Sequence, residues 1–397
     1  MVGIGHDTHC PLCGSGQAVT GLTWRSIPVH TVVLHYSIEE ARAQPCGDMV
    51  LSCCRDCGFV FNAAYEPALQ HYRHDYEATQ SFSGTFNAFN TAIAEEVARV
   101  CGLRAGVAVE VGCGQGEFLA LLRRHGVSQL VGFDPAFDPR RSAVTGDEEV
   151  IIHASEFTPD TVDQPAAAIV CKMTLEHIAR PVEFLSELAR LASMSEACSV
   201  FIQVPNADLV FRTGAFWDIY YEHCCYFTPH TLGLAMERAG LRVDEMRTGF
   251  DQQYLIARAS LGSTHTEHRK APGSTVDLFD AFCGKVRHEA EQWSNWVRHM
   301  RDSGSRIALW GGGSKAVAFL TATATADHIS AVIDINPRKA GTFLAASSVE
   351  VIGPDDIARF GITDILVMNP AYRDEVAALL SDRGLEISLR SVNESML

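Results

Sequence analysis

The chain has 397 residues, 47% of them hydrophobic, and a formal net charge of −16 at pH 7. This length predicts two or three domains, and the excess of acidic residues argues against nucleic acid as a partner, because phosphate backbones are bound by clustered lysine and arginine. No apolar run approaches the roughly 18 residues that span a bilayer, and residues 1–7 lack the basic flank and apolar stretch of a signal peptide. We therefore expect a cytoplasmic protein that acts on a small molecule and does not bind membranes.

The N-terminal stretch, up to residue 75, contains two matched C-x-x-C-G sequences. Two such turns can present four thiolates to one tetrahedral ion, and four thiolates favour Zn²⁺ in a closed, structural site. The candidate ligands are Cys10, Cys13, Cys54 and Cys57. The alternative is a set of ordinary buried cysteines. Cys53 is a possible competing ligand, and we interpret Cys46 as structural.

The stretch 107–119 combines the patterns of a buried strand, a glycine turn and a helix. The glycines have the spacing G-x-G-x-G and let the backbone pass close to a ligand. They are Gly112, Gly114 and Gly116. The next predicted strand, 129–134, ends in Asp134, where a carboxylate can accept hydrogen bonds from two ribose hydroxyls. The stretch predicts a nucleotide site, with a glycine turn that only packs a helix on a sheet as the alternative.

The charges around this turn distinguish between nucleotides. Dinucleotide folds favour G-x-G-x-x-G, with a pyrophosphate on the helix N-terminus. Here Glu110 precedes the turn and Glu117 follows it. Two carboxylates would repel a pyrophosphate, whereas they suit the positively charged amino-acid end of S-adenosylmethionine (SAM). The stretch resembles the first motif of the class I SAM-dependent methyltransferases, which implies that Asp134 holds the ribose.

Further strands are predicted at 149–153, 166–173 and 197–204, with helical segments between them. Strands that alternate with helices predict a parallel sheet with helices on both faces. Such sheets bind ligands beyond the carboxyl ends of their strands. The residues expected there, besides Asp134, are Ser155, Glu156, Phe157 and the segment from Met173 to His177.

The densest set of reactive side chains lies in the segment 216–227. It contains phenols, a carboxylate and an imidazole, which are Tyr220, Tyr221, Glu222 and His223. Such groups can remove and relay protons near pH 7. The alternative is an aromatic loop that packs over the sheet, with His223 as a core histidine.

The last third of the chain predicts a second, smaller α/β domain. Residues 261–275 are polar and predict a linker, and a long helical pattern begins at Val276. The pattern of strand, glycine turn and helix returns at 306–320, with further strands predicted at 329–334 and 364–369.

The glycine turn of this domain is a candidate phosphate site. Backbone amides at 312–315, together with Lys315 and Arg373, would form a local basic pocket on an acidic protein. The alternative is a degenerate domain that packs and binds nothing.

Taken together, these features resemble the sugar C-methyltransferases that act on nucleotide-linked deoxysugars. The motifs that carry the resemblance are the two C-x-x-C-G sequences, Tyr220-x-Glu222-His223 with Tyr226-Phe227, Trp310-Gly-Gly-Gly-Ser-Lys315, Asp334-Ile-Asn-Pro-Arg-Lys339 and Met368-Asn-Pro-x-Tyr-Arg373. The resemblance implies an α/β protein with a four-cysteine zinc domain at 1–75, a Rossmann-like class I SAM domain with a mostly parallel sheet at 76–262, and a C-terminal Rossmann-like domain for substrate or nucleotide at 276–397. It also implies SAM and Zn²⁺ as cofactors.

In that family a 4-keto sugar loses the proton at C3, and the resulting enolate attacks the SAM methyl group. The resemblance implies that His223 is the base and that Tyr220 and Glu222 polarise the ketone or orient His223. His177 and Tyr76 match further active-site positions, and the zinc would be structural. The implied SAM ligands are Glu110, Gly112, Gly114, Gly116, Asp134, Ser155, Glu156, Phe157 and Met173. The implied substrate ligands are Ser314, Lys315, Asn369, Tyr372 and Arg373.

Two features differ from the family pattern. Where the sugar enzymes carry a Gly-Gly-Ser turn and a nearby arginine, this chain has the segment 249–255, Gly-Phe-Asp-Gln-Gln-Tyr-Leu, and the usual proline-rich stretch after the first cysteine pair is missing. Other hypotheses are SAM-dependent O- or N-methyl transfer to another metabolite, a non-catalytic zinc scaffold, and a nicotinamide-dependent oxidoreductase that uses the C-terminal glycine turn.

Overall fold

The computed structural model describes residues 9–102, 106–262 and 273–394. The N-terminal part is a small antiparallel sheet with a short helix. Its elements are β1 (Ala18–Pro28), α1 (Ile38–Arg42), β2 (Cys46–Cys54) and β3 (Val60–Asn62). Ala18 and Cys54 face each other in the register of β1 and β2. Because the first cysteine pair precedes β1 and the second begins where β2 ends, this register brings both pairs to one edge of the sheet.

The central part contains the predicted alternation of strands and helices. Its elements are α2 (Gly84–Cys101), β4 (Val107–Val111), α3 (Glu117–Arg124), β5 (Leu130–Phe133), β6 (Val150–His153), β7 (Ala166–Lys172), α4 (Pro181–Ala192), β8 (Ser199–Pro205), α5 (Ala207–Thr213), β9 (Cys225–Tyr226), α6 (Pro229–Arg238), β10 (Leu241–Gly249) and β11 (Tyr254–Leu261). The strands predicted from the sequence correspond to β4 to β8. The pair β10 and β11 is absent from that prediction.

The central sheet has the strand order β10-β11-β8-β7-β4-β5-β6. The strands from β8 to β6 run parallel, while β11 returns antiparallel to β8 and β10 lies antiparallel to β11. The fold is therefore α/β with a mostly parallel sheet, as predicted. Since β4 lies between β5 and β7, a crevice opens beyond the carboxyl ends of these strands, where such sheets bind ligands.

Helices cover both faces of this sheet. On one face, α2 and α3 bury apolar side chains such as Phe118 and Leu122. On the other face, α4 and α6 bury side chains such as Leu185 and Leu188. These residues are three or four positions apart, so each helix buries a single stripe.

Strand β9 belongs to a different sheet from its neighbours in the sequence. It pairs antiparallel with β3, with Val60 opposite Tyr226 and Phe61 opposite Cys225. The N-terminal sheet therefore has the order β1-β2-β3-β9. This pairing crosses the predicted boundary near residue 75 and ties the loop that contains His223 to the cysteine-rich part.

The C-terminal part is a second α/β unit. Its elements are α7 (Gly273–Asp302), β12 (Ile307–Trp310), α8 (Ser314–Thr323), β13 (Ala331–Ile333), β14 (Val351–Ile352), β15 (Asp364–Val367), α9 (Arg373–Asp382) and β16 (Ser388–Ser391). The strand order is β14-β13-β12-β15-β16, and all pairs are parallel. The glycine turn between β12 and α8 thus follows a central strand. Of the predicted linker 261–275, residues 263–272 lie outside the described residues.

Helix α7 also packs against the N-terminal sheet. A Cβ atom on Gly21 would lie 2.6 Å from the ring of Phe279, so the close approach of α7 to β1 requires glycine there. Arg55 and Asp280 form an ion pair of 2.8 Å across the same contact. Within 9–102, 106–262 and 273–394, no helix has the combined length and hydropathy needed to cross a membrane.

Candidate active site

A cavity of about 1210 Å³ opens beyond the carboxyl ends of β4, β5 and β7. Its wall includes residues from the N-terminal, central and C-terminal parts of the chain, for example Tyr76, Asp134 and Lys315. Pockets for one small ligand measure roughly 300–1000 Å³. This cavity is therefore larger than a pocket for one small ligand.

The glycine turn before α3 forms one side of the cavity. Gly112, Gly114 and Gly116 have φ values of +76°, +56° and +85°, in the left-handed region that favours glycine. A Cβ atom on Gly112 would also lie 1.9 Å from Oγ1 of Thr174. Both the backbone conformation and the close packing of the turn therefore require glycine.

Asp134 follows β5 at the edge of this turn. Its carboxylate accepts hydrogen bonds from the amides of Gly114, at 2.9 Å, and Ala136, at 2.7 Å. Burial raises the pKa of this carboxyl, and the two amide hydrogen bonds oppose that shift. These contacts hold Asp134 against the glycine turn, in the place predicted for a ribose ligand.

The other predicted cofactor residues lie around the same cavity. Phe157 packs edge-on against an aromatic side chain of β5, with ring centroids 5.3 Å apart. Met173 has a left-handed φ of +52° directly after β7, and Ser155 and Glu156 are exposed. Glu110 is buried near the end of β4, where burial raises the pKa of its carboxyl and the charge of Lys172 opposes that shift. The structure thus brings the predicted SAM ligands to one wall.

His223 and Tyr220 form a hydrogen-bonded pair in the cavity wall. The phenol oxygen of Tyr220 lies 3.0 Å from Nε2 of His223. Burial, with smaller contributions from the charges of His177 and Lys315, lowers the pKa of His223 well below its ordinary value of 6.5. The imidazole is therefore neutral near pH 7 and can accept a proton.

Glu176 faces the same imidazole from the turn that follows β7. Its Oε1 lies 3.9 Å from Nε2 of His223, and neither of its oxygens has a hydrogen-bond partner among the described residues. Burial raises its pKa to about 8. Donor atoms of Glu176, His177 and His223 all lie within 4.8 Å of one another. Sequence reasoning identifies the segment but gives Glu176 no role, although its position beside His177 is a usable signal.

His177 is held by a residue from the N-terminal segment. The hydroxyl oxygen of Tyr72 lies 3.0 Å from Nδ1 of His177, and Tyr76 packs edge-on against Tyr72 with ring centroids 5.1 Å apart. Burial lowers the pKa of His177. The structure therefore brings His177 and Tyr76 into one cavity. Tyr72 is not identified from the sequence, although it lies in the same aromatic stretch as Tyr76.

Glu222 lies behind the cavity wall, unlike the other predicted catalytic residues. Its carboxylate accepts hydrogen bonds from the amide of Thr31, at 3.0 Å, and from the hydroxyl of Thr31, and it lies 3.3 Å from Nδ1 of His30. Burial alone would raise its pKa, but the hydrogen bond from His30, the charge of His177 and the hydrogen bond from Thr31 keep it below the ordinary value. These contacts favour a supporting role for Glu222 over polarisation of a substrate ketone.

The predicted substrate residues fall into two groups. Four of them line the cavity, namely Ser314, Lys315, Asn369 and Tyr372. Arg373 does not join them, because its guanidinium pairs with Glu394 at 3.1 Å and 44% of its side chain is exposed. Lys315, which forms an ion pair with Asp218, thus faces the cavity without the predicted arginine.

The segment 249–255, which differs from the family pattern, faces this group. Gln253 donates a hydrogen bond of 2.9 Å to Oδ1 of Asn369, and the ring of Phe250 lies 5.7 Å from that of Tyr372. The difference in sequence therefore falls on the wall between the central and C-terminal parts.

The four predicted metal ligands meet at the edge of the N-terminal sheet, and their sulfur atoms lie within 4.8 Å of one another. Cys10 and Cys57 approach to 3.6 Å, and Cys13 and Cys54 to 3.5 Å. These distances exceed the roughly 2.05 Å of a disulfide. Four thiolates at about 2.3 Å from a tetrahedral zinc ion would be about 3.8 Å apart. The donor set and its spacing therefore fit a zinc ion.

The two cysteine turns share one local geometry. The amide of Gly14 donates to the carbonyl of Cys10, and that of Gly58 to the carbonyl of Cys54, both at 2.8 Å. The two glycines have φ values of +75° and +74°. Cys53, the possible competitor, directs its sulfur to the carbonyl of Cys54 and is not part of the four-cysteine group.

Two family models match the chain. One, described as a methyltransferase domain, matches residues 85–246. The other, described as a C-methyltransferase C-terminal domain, matches residues 252–384. Among curated proteins, none matches the chain.

Solved methyltransferase structures resemble part of the chain. A SAM-dependent methyltransferase from Aquifex aeolicus is 21% identical, with 42% of this chain and 88% of that chain covered and a TM-score of 0.32. One from Mesorhizobium loti is 14% identical, with 43% and 99% covered and a TM-score of 0.32. The 1,6-didemethyltoxoflavin-N1-methyltransferase of Burkholderia thailandensis, with bound 1,6-didemethyltoxoflavin and S-adenosylhomocysteine, is 15% identical, with 52% and 97% covered and a TM-score of 0.35. At these values the likeness adds nothing to the two family models.

Proposed function

Because the chain is a SAM-dependent methyltransferase with a C-methyltransferase C-terminal domain, we propose that it methylates a carbon atom next to a ketone, in a 4-keto deoxysugar carried by a nucleotide. The observation that supports this best is the buried pair of Tyr220 and His223 in the same cavity as the glycine turn. A carbon acceptor must lose a proton before it can attack, and a neutral, buried imidazole is suited to take it.

The proposed reaction needs only a base in the cavity wall and the two molecules that the cavity would bind. A ketone acidifies the C–H bond on the neighbouring carbon, so the neutral ring of His223 accepts that proton and the substrate becomes an enolate. Nε2–H of His223 donates to the phenol oxygen of Tyr220, which orients the imidazole and leaves the lone pair of Nδ1 to accept the proton. SAM, when bound, supplies a methyl group on a positively charged sulfur. As the carbon–carbon bond forms, the carbon–sulfur bond breaks, which restores the ketone and releases S-adenosylhomocysteine.

The two sides of the cavity suit the two ligands. The glycine turn, with Asp134 at its edge, suits the nucleoside of SAM. The wall formed by the C-terminal part of the chain carries Lys315 in the first turn of α8, where backbone amides and the helix dipole favour a phosphate group. We assign this wall to the nucleotide of the acceptor.

We also propose that the four clustered cysteines hold a structural zinc ion. The sulfur spacing supports this assignment, and four thiolates leave no coordination position for a substrate. The ion would therefore stabilise the N-terminal sheet and take no part in proton transfer.

The proposed function is tested by mass spectrometry of products from SAM and a panel of nucleotide 4-keto-6-deoxysugars. We expect one added methyl group, and NMR should place it on C3. In deuterium oxide without SAM, the C3 proton should exchange with solvent, because enolate formation precedes methyl transfer. A methyl group on oxygen or nitrogen would contradict the proposal. Methyl transfer to a substrate whose C3 proton does not exchange with solvent would also contradict it.

Replacement of Glu176 by glutamine should remove a pH dependence of turnover. Glu176 is neutral below its pKa of about 8, and its ionisation above that pH makes the adjacent His223 a stronger base. We therefore expect the wild-type rate to rise through about pH 8 and the Glu176→Gln rate to stay flat. At pH 9 the variant should be about tenfold slower, because an increase of about one unit in the pKa of His223 corresponds to about 1.4 kcal/mol. Initial rates between pH 6 and 9 measure this.

Stability gives an independent check on Glu176. Its folded-state pKa is raised from 4.5 to about 8, so the folded protein keeps a proton that the unfolded chain releases, and stability falls as pH rises through this window. Glu176→Gln should lessen that fall in thermal unfolding. Glu289→Gln is the matched control, because burial also raises the pKa of Glu289 but it lies outside the cavity. A pH–rate profile equally altered in both variants would contradict the role of Glu176.

A further inference from the structure

Lys172 carries a positive charge in the part of the cavity that we assign to SAM, and the proposed reaction does not use it. It is the last residue of β7 and lines the cavity. Its neighbours on β7 that share its face, such as Val170, pack under α2 and α3. A lysine here is unexpected, because SAM itself carries a positive sulfur and a positive amino group.

The ammonium group of Lys172 has unused hydrogen-bonding capacity. Its Nζ donates to Oδ1 of Asn90 at 2.6 Å and lies 3.8 Å from the centroid of the Phe118 ring. An ammonium group has three N–H donors, and Asn90 is its only hydrogen-bond acceptor among the described residues. Two donors therefore remain available to a ligand in the cavity.

Glu110 lies on the neighbouring strand with an unused acceptor. The register places Glu110 opposite Val170 and the next residue of β4 opposite Cys171, so Glu110 and Lys172 stand close together at the carboxyl ends of adjacent strands. Oε2 of Glu110 is buried without a hydrogen-bond partner. Within the described part of the chain, no ion pair within 4.0 Å joins the two residues, although the charge of each opposes the effect of burial on the pKa of the other.

A pair of opposite charges that stand side by side without touching matches an α-amino acid, whose ammonium and carboxylate are attached to one carbon. We propose that Lys172 binds the carboxylate of the methionyl end of SAM while Glu110 binds its ammonium group. Each ligand charge then meets its opposite, and the unused donors and the unused acceptor are all satisfied. Glu110 also offsets the repulsion between Lys172 and the positive end of the cofactor.

The test compares SAM with decarboxylated SAM, which keeps the ammonium and sulfonium groups but lacks the carboxylate. Isothermal titration calorimetry without any acceptor measures both affinities. The wild type should bind decarboxylated SAM about 10- to 100-fold more weakly, as expected for the loss of a charge-assisted hydrogen bond. Lys172→Gln should weaken SAM by a similar factor, leave decarboxylated SAM nearly unchanged, and so abolish the preference.

Two further variants separate this role from a general effect on the site. Glu110→Gln should weaken both ligands equally, because both keep the ammonium group. Arg123→Gln removes a positive charge that pairs with Asp147 outside the cavity, and it should leave the ratio of the two affinities unchanged.

Each outcome decides the proposal. Equal affinity of the wild type for SAM and decarboxylated SAM would overturn it without any variant, even if Lys172→Gln does not fold. Equal losses for both ligands in Lys172→Gln would also overturn it and leave Lys172 as a structural partner of Asn90. The proposal rests on SAM dependence and not on the identity of the acceptor. If the SAM affinities are as predicted but no sugar is methylated, only the proposed acceptor is overturned.

Discussion

Replacement of His223 by asparagine should lower methyl transfer by about 10²- to 10⁴-fold, the contribution expected of a general base. SAM affinity should change little, because the glycine turn and Asp134 follow β4 and β5, whereas His223 lies in the loop before β9. The solvent exchange of the substrate C3 proton should be lost together with turnover, because both require the same proton transfer. Single-turnover rates, calorimetry with SAM and deuterium incorporation measure the three effects.

His35→Asn is the matched control for this prediction. His35 is about as buried as His223, with 6% and 5% of its surface exposed, but it does not line the cavity. Damage from removing a buried imidazole would therefore appear in both variants, whereas loss of the base appears only in His223→Asn. Exchange that persists in His223→Asn would assign the base to another group.

The acid side of the pH profile tests the state of His223 in the wild type. Its pKa lies well below 6.5 because of burial, so the imidazole stays neutral as pH falls from 7 to 6. Activity should therefore hold through this range and decrease only at lower pH. A decrease centred near pH 6.5 would instead indicate a solvent-exposed histidine as the base.

Patterns confined to a short stretch of sequence were sufficient to predict the glycine turn at the cavity and the turns of the four-cysteine cluster. The glycines at 112–116 are fixed by a local conformation, and each cysteine pair forms one turn with its own glycine. The parallel strands β4 to β8 of the central sheet were equally predictable, because a run such as 166–173 needs no distant partner to be recognised as buried, whereas β10 and β11 were not predicted. The amino-acid patterns within these segments are therefore sufficient to predict most of the fold.

Residues whose role depends on distant neighbours were not predictable in the same way. Lys172 ends an apolar run, and its role can be inferred only once the strand register places it beside Glu110. The resemblance gives Glu222 a role beside its neighbour His223, but its carboxylate accepts hydrogen bonds from Thr31, 191 residues away. Tyr72 contacts His177 across a gap of 105 residues in the sequence. Sequence adjacency is thus a poor guide to which side of a buried loop a side chain occupies.

Removal of the proposed zinc ion should abolish methyl transfer although the ion lies outside the cavity. Structural zinc sites contribute roughly 10–16 kcal/mol of binding free energy, whereas whole domains are stable by only roughly 5–15 kcal/mol. Loss of the ion should therefore disorder the N-terminal sheet. Zinc content by atomic absorption, circular dichroism and turnover, before and after treatment with a chelator, measure this.

One strand pairing connects the part of the chain that contains the cysteine turns to the loop that contains the proposed base, His223. Val60 of β3 pairs with Tyr226 of β9, only three residues after His223, and Phe59 packs against Phe227 with ring centroids 5.3 Å apart. If the cysteine turns lose order, β3 no longer supports the loop that positions the imidazole. SAM binding should persist, since the glycine turn belongs to the central sheet.

Single cysteine variants separate the ion from general thiol effects. Cys57→Ser should lose zinc and turnover together, whereas Cys46→Ser should lose neither, because Cys46 is exposed and lies outside the four-cysteine group. Full turnover in zinc-free protein would contradict the structural role of the ion. Zinc-free protein that retains its folded N-terminal sheet but not its turnover would instead place the ion in the chemistry, which four thiolate ligands with no open position do not favour.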